Sequence, residues 1–299
     1  MNDMLLGGVE AGGTKMVCAV AREPGVVIDE VRFPTTSPKK TLERVKVYFD
    51  QAQEKYGPLG AIGYGTFGPA SVSVDDPKYG TILATPKPEW EGADVVGFLK
   101  KSFPEVALAY DTDVNAAGIG EGHSGAARGL KNHIYITVGT GIGGGVMIDG
   151  KALHARPHAE IGHMLVPLQD GEVDGFAGTC QFHGPCLEGL ASGTAMHQRW
   201  GIPAQELGSD HEAWDLEAAY LAAMVQNLVA CFAPERIVLG GGVMEQDFLL
   251  ERVKDKFYQN AGGYWEQYEN LLAVPGLGNQ AGITGALLMA KNVLTTQQG

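Results

Sequence analysis

The chain's 299 residues, 44% of them hydrophobic, suffice for two domains of ordinary size, each with its own core. A formal net charge of −13, with no clustered Lys or Arg, excludes a general nucleic-acid surface, because nonspecific binding comes from phosphates neutralised by grouped cations. The apolar runs Met4–Val9 and Ile134–Val138 fall far short of the roughly 20 residues needed to cross a bilayer, and no basic stretch opens the chain, so neither a membrane span nor a signal peptide is expected and the expected compartment is the cytoplasm.

In chain order, residues 5 to 20 read as strand, bare turn, strand. The turn, Glu10-Ala11-Gly12-Gly13-Thr14-Lys15, leaves backbone amides open to phosphate oxygens and sets a hydroxyl and an ammonium beside them. An ordinary glycine hairpin has the same pattern, and Lys15 is as readily just solvated. Leu42, Val45, Phe49 and Ala52 recur at helical spacing, and Ala61–Gly65 reads as a strand entering a Gly68-Pro69 turn. In Thr85-Pro86-Lys87-Pro88-Glu89-Trp90, the tryptophan either closes a pocket or belongs to the core. A strand over Val106–Tyr110 then runs into Asp111-Thr112-Asp113-Val114-Asn115, placing two carboxylates at a strand's carboxyl end, where α/β proteins keep their clefts. A carboxylate there can take a proton from a hydroxyl, or it can cap the helix that follows.

Residues 133 to 148 repeat the first plan, with Gly139-Thr140-Gly141-Ile142-Gly143-Gly144-Gly145 between His133–Val138 and Val146–Ile148. The Gly-x-Gly-x-x-Gly spacing at Gly139, Gly141 and Gly144 is not a Rossmann site, because a strand continues where that motif must open a helix. The repeat implies two related lobes. An irregular stretch, about 153 to 189, carries His163, Cys180, His183 and Cys186. In a reducing compartment, two thiolates and two imidazoles at this spacing fill a tetrahedral zinc shell; a filled shell has no place for water, so the metal is structural and not a hydrolase centre. His154 and His158 are expected to be exposed or behind these ligands, and Cys18 and Cys231 lie in apolar strand-like and helix-like contexts. A helix over about 215–232 stops before Pro234, Arg236–Leu239 is a strand entering Gly240-Gly241-Gly242, and a helix over about 282–293 closes the chain. The aromatic stretch from Tyr258 to Tyr268, with Tyr264 and Trp265, is either an interface or core.

The two glycine turns, the Gly240–Gly242 turn, the acidic segment at 111 to 115 and the Cys/His stretch make the chain resemble the repressor, open reading frame, kinase (ROK) family over nearly its whole length. Within it, Glu10, the Thr-Pro-Lys-Pro at 85 to 88 and the Cys-x-x-His-x-x-Cys at 180 to 186 resemble the fructokinase branch. The resemblance implies an α/β, two-lobed actin-like ATPase (ribonuclease H-like) fold with ATP in an inter-lobe cleft and a zinc-stabilised loop. It implies phosphorylation of a hexose, D-fructose to fructose 6-phosphate ahead of mannose, glucose or an amino sugar; a sugar-sensing regulator is the non-enzymatic alternative. The lobes are expected at 1–115, joined by the C-terminal helix 282–299, and at 116–281, with the zinc loop at 154–189. Family habit also implies a homodimer.

Residue matching to the family makes Asp113 the base and gives the sugar to Asn115, Glu160, His163 and Glu188, although Glu188 also suits a helix start. The nucleotide falls to Glu10, Gly12, Gly13, Thr14 and Lys15, to Thr140 at the β- and γ-phosphates with Gly141, to Thr194, and to Gly240, Gly241, Gly242, Val243 and Met244 about the adenosine and α-phosphate. Mg2+ is expected with ATP. The chain departs from the wider family's Asp at Glu10 and from its frequent Cys-x-Cys at His183, the latter keeping the ligand count.

Overall fold

The computed structural model describes residues 4–154, 158–265, 268 and 270–298. Strands β1 (Leu5–Ala11), β2 (Lys15–Glu23) and β3 (Val26–Pro34) form an antiparallel meander. After helix α1 (Pro38–Tyr56), strand β4 (Leu59–Thr66) adds parallel to β1, and helix α2 (Val95–Ser102) leads to β5 (Ala107–Thr112), parallel to β4. The sheet order is β3-β2-β1-β4-β5. β1 and β4 are buried almost throughout, as strands covered on both faces must be. Positions 7 and 8 on β1 face opposite ways, one toward Phe49 of α1 and the other toward Leu287 of the last helix, α8 (Ala281–Gln298).

Helix α3 (Asp113–Ser124) leads to the second sheet, built from β6 (His133–Val138), β7 (Ile142–Ile148), β8 (Lys151–Ala152), β9 (Arg236–Gly240) and β10 (Leu272–Ala273). Its order, β10-β9-β6-β7-β8, repeats the first: a hairpin with a third strand on one side, two parallel additions on the other. The internal repeat inferred from two hairpins thus extends to five strands each. Helices α4 (Leu187–Ala191), α5 (Gly193–Trp200), α6 (Ala213–Phe232) and α7 (Leu249–Ala261) belong to this half, where Trp214, Tyr220 and Leu221 share a core with Ile136 and Leu239. α6 ends at Ala233, which takes a left-handed φ of 43° ahead of Pro234, because the proline ring disfavours helical backbone before it.

Between the sheets, α3 and α8 pack closely. A Cβ at Gly285 would overlap the Ala116 carbonyl oxygen, so only glycine permits this crossing. α8 also packs on β1, β4 and β5, and so lies with the first sheet.

Several expectations are sharpened or corrected. Trp90 is 0% exposed, with its indole Nε1 donating to the Thr36 carbonyl oxygen at 2.7 Å, so it belongs to the core. Cys18 is buried as expected, but Cys231 is exposed in the last turn of α6. The late aromatic stretch is divided: Trp265 stacks on Phe257, the Tyr258 hydroxyl donates to the Tyr268 carbonyl oxygen at 2.6 Å, and Tyr264 is 78% exposed. Glu266, Gln267 and Glu269 of that stretch lie outside the described residues. Among the described residues, no helix is long and apolar enough to cross a membrane.

Candidate active site

The acidic segment sits where β5 gives way to α3. The cap there is neither aspartate: the Thr112 hydroxyl oxygen accepts from the Asn115 amide at 3.1 Å. That correction leaves Asp113 half-buried at the first residue of α3, with Oδ1 accepting from the Val114 amide at 2.8 Å. Loss of water around the carboxyl, and then the nearby Glu10, push its pKa up to about 7, against the Val114 N–H and His158, which pull it down. Asp111 lies deeper. Its Oδ1 accepts from the Thr112 amide at 2.8 Å and the Asn115 Nδ2 at 2.7 Å, and its Oδ2 meets the His154 Nε2 at 2.7 Å. This contact with Asp111 raises the His154 pKa, with burial acting in the opposite sense.

Asn115, expected on the sugar, is 4% exposed, and its Nδ2 donates to Asp111. His158 is also not exposed: its side chain is 8% accessible, and its Nε2 lies 3.0 Å from the Glu160 Oε1 without hydrogen-bond alignment. Burial pulls its pKa down, but Glu160 and Asp111 together hold it above the usual value. Glu160 itself is exposed, and Gly68 approaches this pair from the first half: a Cβ there would lie 3.4 Å from the His158 Nε2 and 3.6 Å from the Glu160 Oε1.

In the first glycine turn, the Gly12 amide donates to the Lys15 carbonyl oxygen at 2.9 Å, and Thr35 closes the turn through its amide to the Thr14 carbonyl oxygen (2.9 Å) and its hydroxyl to the Gly12 carbonyl oxygen (2.7 Å). Gly13 faces open space and Lys15 is exposed. Glu10, at the end of β1, tucks its carboxylate against the first turn of α8; burial raises its pKa, Lys15 and Arg32 oppose the rise, and among the described residues Oε2 has no hydrogen-bond partner. A buried, unpartnered carboxylate oxygen beside a bare turn is a donor suited to a divalent cation.

The second turn is braced within its own half, by the start of α5. The Gly139 amide donates to the Gly141 carbonyl oxygen (2.9 Å), the Gly193 amide to the Gly139 carbonyl oxygen (2.7 Å), and the Thr194 hydroxyl to the Thr140 carbonyl oxygen (2.7 Å). A cleft of about 430 Å3 opens beside it, lined by Gly139, Thr140, Gly193 and Thr194 on one side and Gly242 and Val243 on another. Gly241 turns the chain here with φ 92°, against Val138, which no side chain could tolerate. Gly240 packs against Pro275 and Tyr135, and Met244 is buried, so these two lie behind the cleft wall. His197 and Gln205 also line it. His197 follows Gly193 by four residues on α5, which puts both on one helix face; for Gln205 no local pattern marks the position.

The Cys/His stretch folds into a knuckle. A single 3-10 turn at Ile161–His163 and the bridges Leu165 to Cys186 and Cys180 to Gly184 bring four side chains together. The ligand atoms of His163, Cys180, His183 and Cys186 lie within 4.8 Å of one another. The His163 Nδ1 is 3.5 Å from the Cys186 Sγ and 3.7 Å from the Cys180 Sγ, and the His183 Nδ1 is 3.7 Å from the Cys180 Sγ. Tetrahedral zinc with ordinary bond lengths requires about 3.6 Å between a sulfur and a nitrogen ligand, so the set fits such an ion. Glu188, two residues past Cys186 on α4, reaches the other way: its Oε2 accepts from the Ile142 amide at 2.9 Å, tying the knuckle to the second glycine turn.

Two α/β halves of one topology, with glycine turns and a buried-carboxyl helix start at their strand ends, define the actin-like ATPase fold. The chain belongs to the ROK family, whose model matches residues 6–293. The fructokinase of Pediococcus pentosaceus is 42% identical over 97% of this chain and 99% of its own length. Among solved structures, a ROK hexokinase from Thermus thermophilus superposes with TM-score 0.81 at 28% identity, covering 99% of this chain and 100% of that one. A ROK glucokinase from Streptomyces griseus, in complex with glucose and AMPPNP, gives TM-score 0.77 at 25% identity, covering 96% and 99%.

Proposed function

We propose that this chain is an ATP-dependent hexose kinase acting on D-fructose, with ATP and fructose giving ADP and fructose 6-phosphate. The observation that carries the proposal is the Asp113 carboxyl, held half-buried at the start of α3 with a pKa near 7, in a family whose relative of 42% identity is a fructokinase. A sugar hydroxyl is a weak nucleophile. Asp113 accepts its proton as the oxygen attacks the γ-phosphorus in line; the bond from phosphorus to the β,γ-bridging oxygen breaks, and ADP leaves with that electron pair.

In this reading the carboxylates of Glu160 and Glu188 accept hydrogen bonds from sugar hydroxyls, and the ring nitrogen of His163 turned away from the Cys/His set is their neighbour. Asn115 acts behind them, fixing Asp111 and through it His154. The two glycine turns, Lys15, Thr140 and Thr194 face the phosphates, while Gly241, Gly242 and Val243 border the nucleoside. Glu10 holds Mg2+, which supplies positive charge to the phosphates. Zn2+ in the Cys/His set orders the knuckle from which Glu188 projects. Residues 1–115 with the C-terminal helix form one lobe and 116–281 the other, closing to exclude water. We also read the chain as a homodimer in the cytoplasm, to be checked by light scattering on the purified protein.

A coupled ADP-release assay with Mg-ATP across fructose, mannose, glucose and N-acetylated hexosamines tests the proposal. The expected result is the highest kcat/KM with fructose. Preference for another hexose would replace the substrate, and silence on all of them would leave a sugar sensor.

A further inference from the structure

A column of hydrogen bonds joins the segment around Trp90 to the first glycine turn. The Trp90 indole Nε1 donates to the Thr36 carbonyl oxygen at 2.7 Å. Thr35, one residue earlier, holds both sides of the turn, with its hydroxyl on the Gly12 carbonyl oxygen at 2.7 Å and its amide on the Thr14 carbonyl oxygen at 2.9 Å. Thr36 is fixed from below as its amide donates to the buried Thr41 Oγ1 at 2.9 Å.

The indole also packs, within the same core, against the residue that follows β4. The Phe67 ring packs edge-on against Trp90 with centroids 5.0 Å apart, and the Phe67 amide donates to the Ala11 carbonyl oxygen at 2.7 Å. The next residue, Gly68, borders His158 and Glu160. Trp90 therefore touches no ligand, being 0% exposed, yet it bears on the turn from both flanks: through Thr36 and Thr35 on one, through Phe67 and Ala11 on the other. A core tryptophan needs an acceptor for its N–H, but any buried carbonyl serves that need. Here the acceptor is one peptide unit from the residue that closes a phosphate-type turn.

We infer that Trp90 is a positioning residue that sets the first glycine turn for its phosphate ligand. The inference rests on the proposed function in taking that ligand to be a nucleotide. Trp90→Phe keeps an aromatic ring against Phe67 and removes the N–H; Thr35→Val keeps the shape and the backbone amide and removes the hydroxyl donor.

The test is calorimetric titration of Mg-ADP into the wild-type chain, both single variants and the double variant, with Tm and bound metal followed in each. Each single variant is expected to bind about tenfold more weakly, a change of about 1.4 kcal/mol. The double variant is expected to bind no more weakly than the worse single, because residues acting through one column are not additive. KM for ATP rises in step, with kcat little changed. Wild-type affinity in Trp90→Phe, or fully additive losses, overturns the inference. Should Trp90→Phe not fold, Thr35→Val decides alone, and wild-type affinity there overturns it equally. A wild type that binds Mg-ADP but phosphorylates no hexose sinks the proposed function and leaves the titration to judge Trp90; one that binds no Mg-ADP sinks both.

Discussion

At the residue scale, the proposed chemistry turns on how one carboxyl is kept poised. Asp113 takes its raised pKa first from lost hydration and then from Glu10, while the Val114 N–H keeps it from rising further. Only the ionised carboxylate accepts a proton, so kcat/KM with the preferred hexose is expected to rise with pH through a midpoint near 7 and to fall about tenfold per pH unit below it. A profile flat between pH 5 and 9 would remove Asp113 as the base. Asp113→Asn keeps the size and the Val114 contact but cannot take the proton. It should lower kcat by about a hundred- to ten-thousandfold while Mg-ADP binding, measured by calorimetry, stays close to wild type.

At the scale of elements, the Cys/His knuckle sends Ile161 and Val166 into the core of the second half, and its polar remainder is held from two sides. One hold is the metal proposed for the four Cys and His side chains; the other is Arg199 of α5, whose guanidinium binds both carboxylate oxygens of Glu172 at 2.7 and 3.0 Å and lies 4.2 Å over the Phe176 ring. Arg199 also donates to the Leu190 carbonyl oxygen at 2.7 Å, so one buried side chain fixes the loop to both α4 and α5. Arg199 does not replace the metal set, because it anchors residues 172 to 176 and not the cysteines. Cys180→Ser is therefore expected to lose one bound metal per chain by elemental analysis, to lower Tm by about 5–10 °C, and to raise KM for the hexose as Glu188 loses its support. Unchanged metal content and Tm would show that the four residues form no ion site.

At the scale of the molecule, α8 is the last element made and among the most deeply shared. It covers β1, β4 and β5, meets α3 across Gly285 and Ala116, and sets its first turn under Glu10. The Glu10 carboxylate rests against α8 and Asp113 opens α3, and these two helices touch, so the crossing helps fix the distance between the two acidic groups. Gly285→Ala forces a methyl into the Ala116 carbonyl, and the expected cost is more than about 2 kcal/mol, seen as a lower urea midpoint. A wild-type midpoint would mean the helices part without penalty and that the crossing is not rigid.

Much of this protein was determined by short stretches of sequence read alone. The two hairpins with bare turns, the helix ended before Pro234, the four Cys and His ligands and the acidic strand end depend on residues within a few positions of one another, where spacing and backbone preference decide. Strand β3 escaped that reading because its first three residues, Val26, Val27 and Ile28, are all exposed at a sheet edge and do not alternate. The tertiary structure alone decided that Thr112 and not an aspartate caps α3, that Asn115 turns inward to Asp111, that His158 is buried against Glu160, and that His197 and Gln205 join the cleft wall. The partners of Thr112, Asn115 and His158 are near in the chain, but which of several nearby polar groups pairs with which rests on burial and on contacts from distant segments, such as His154 with Asp111 or Thr194 with Thr140. Packing settles which polar group loses water and which partner satisfies it, and no local pattern carries that information.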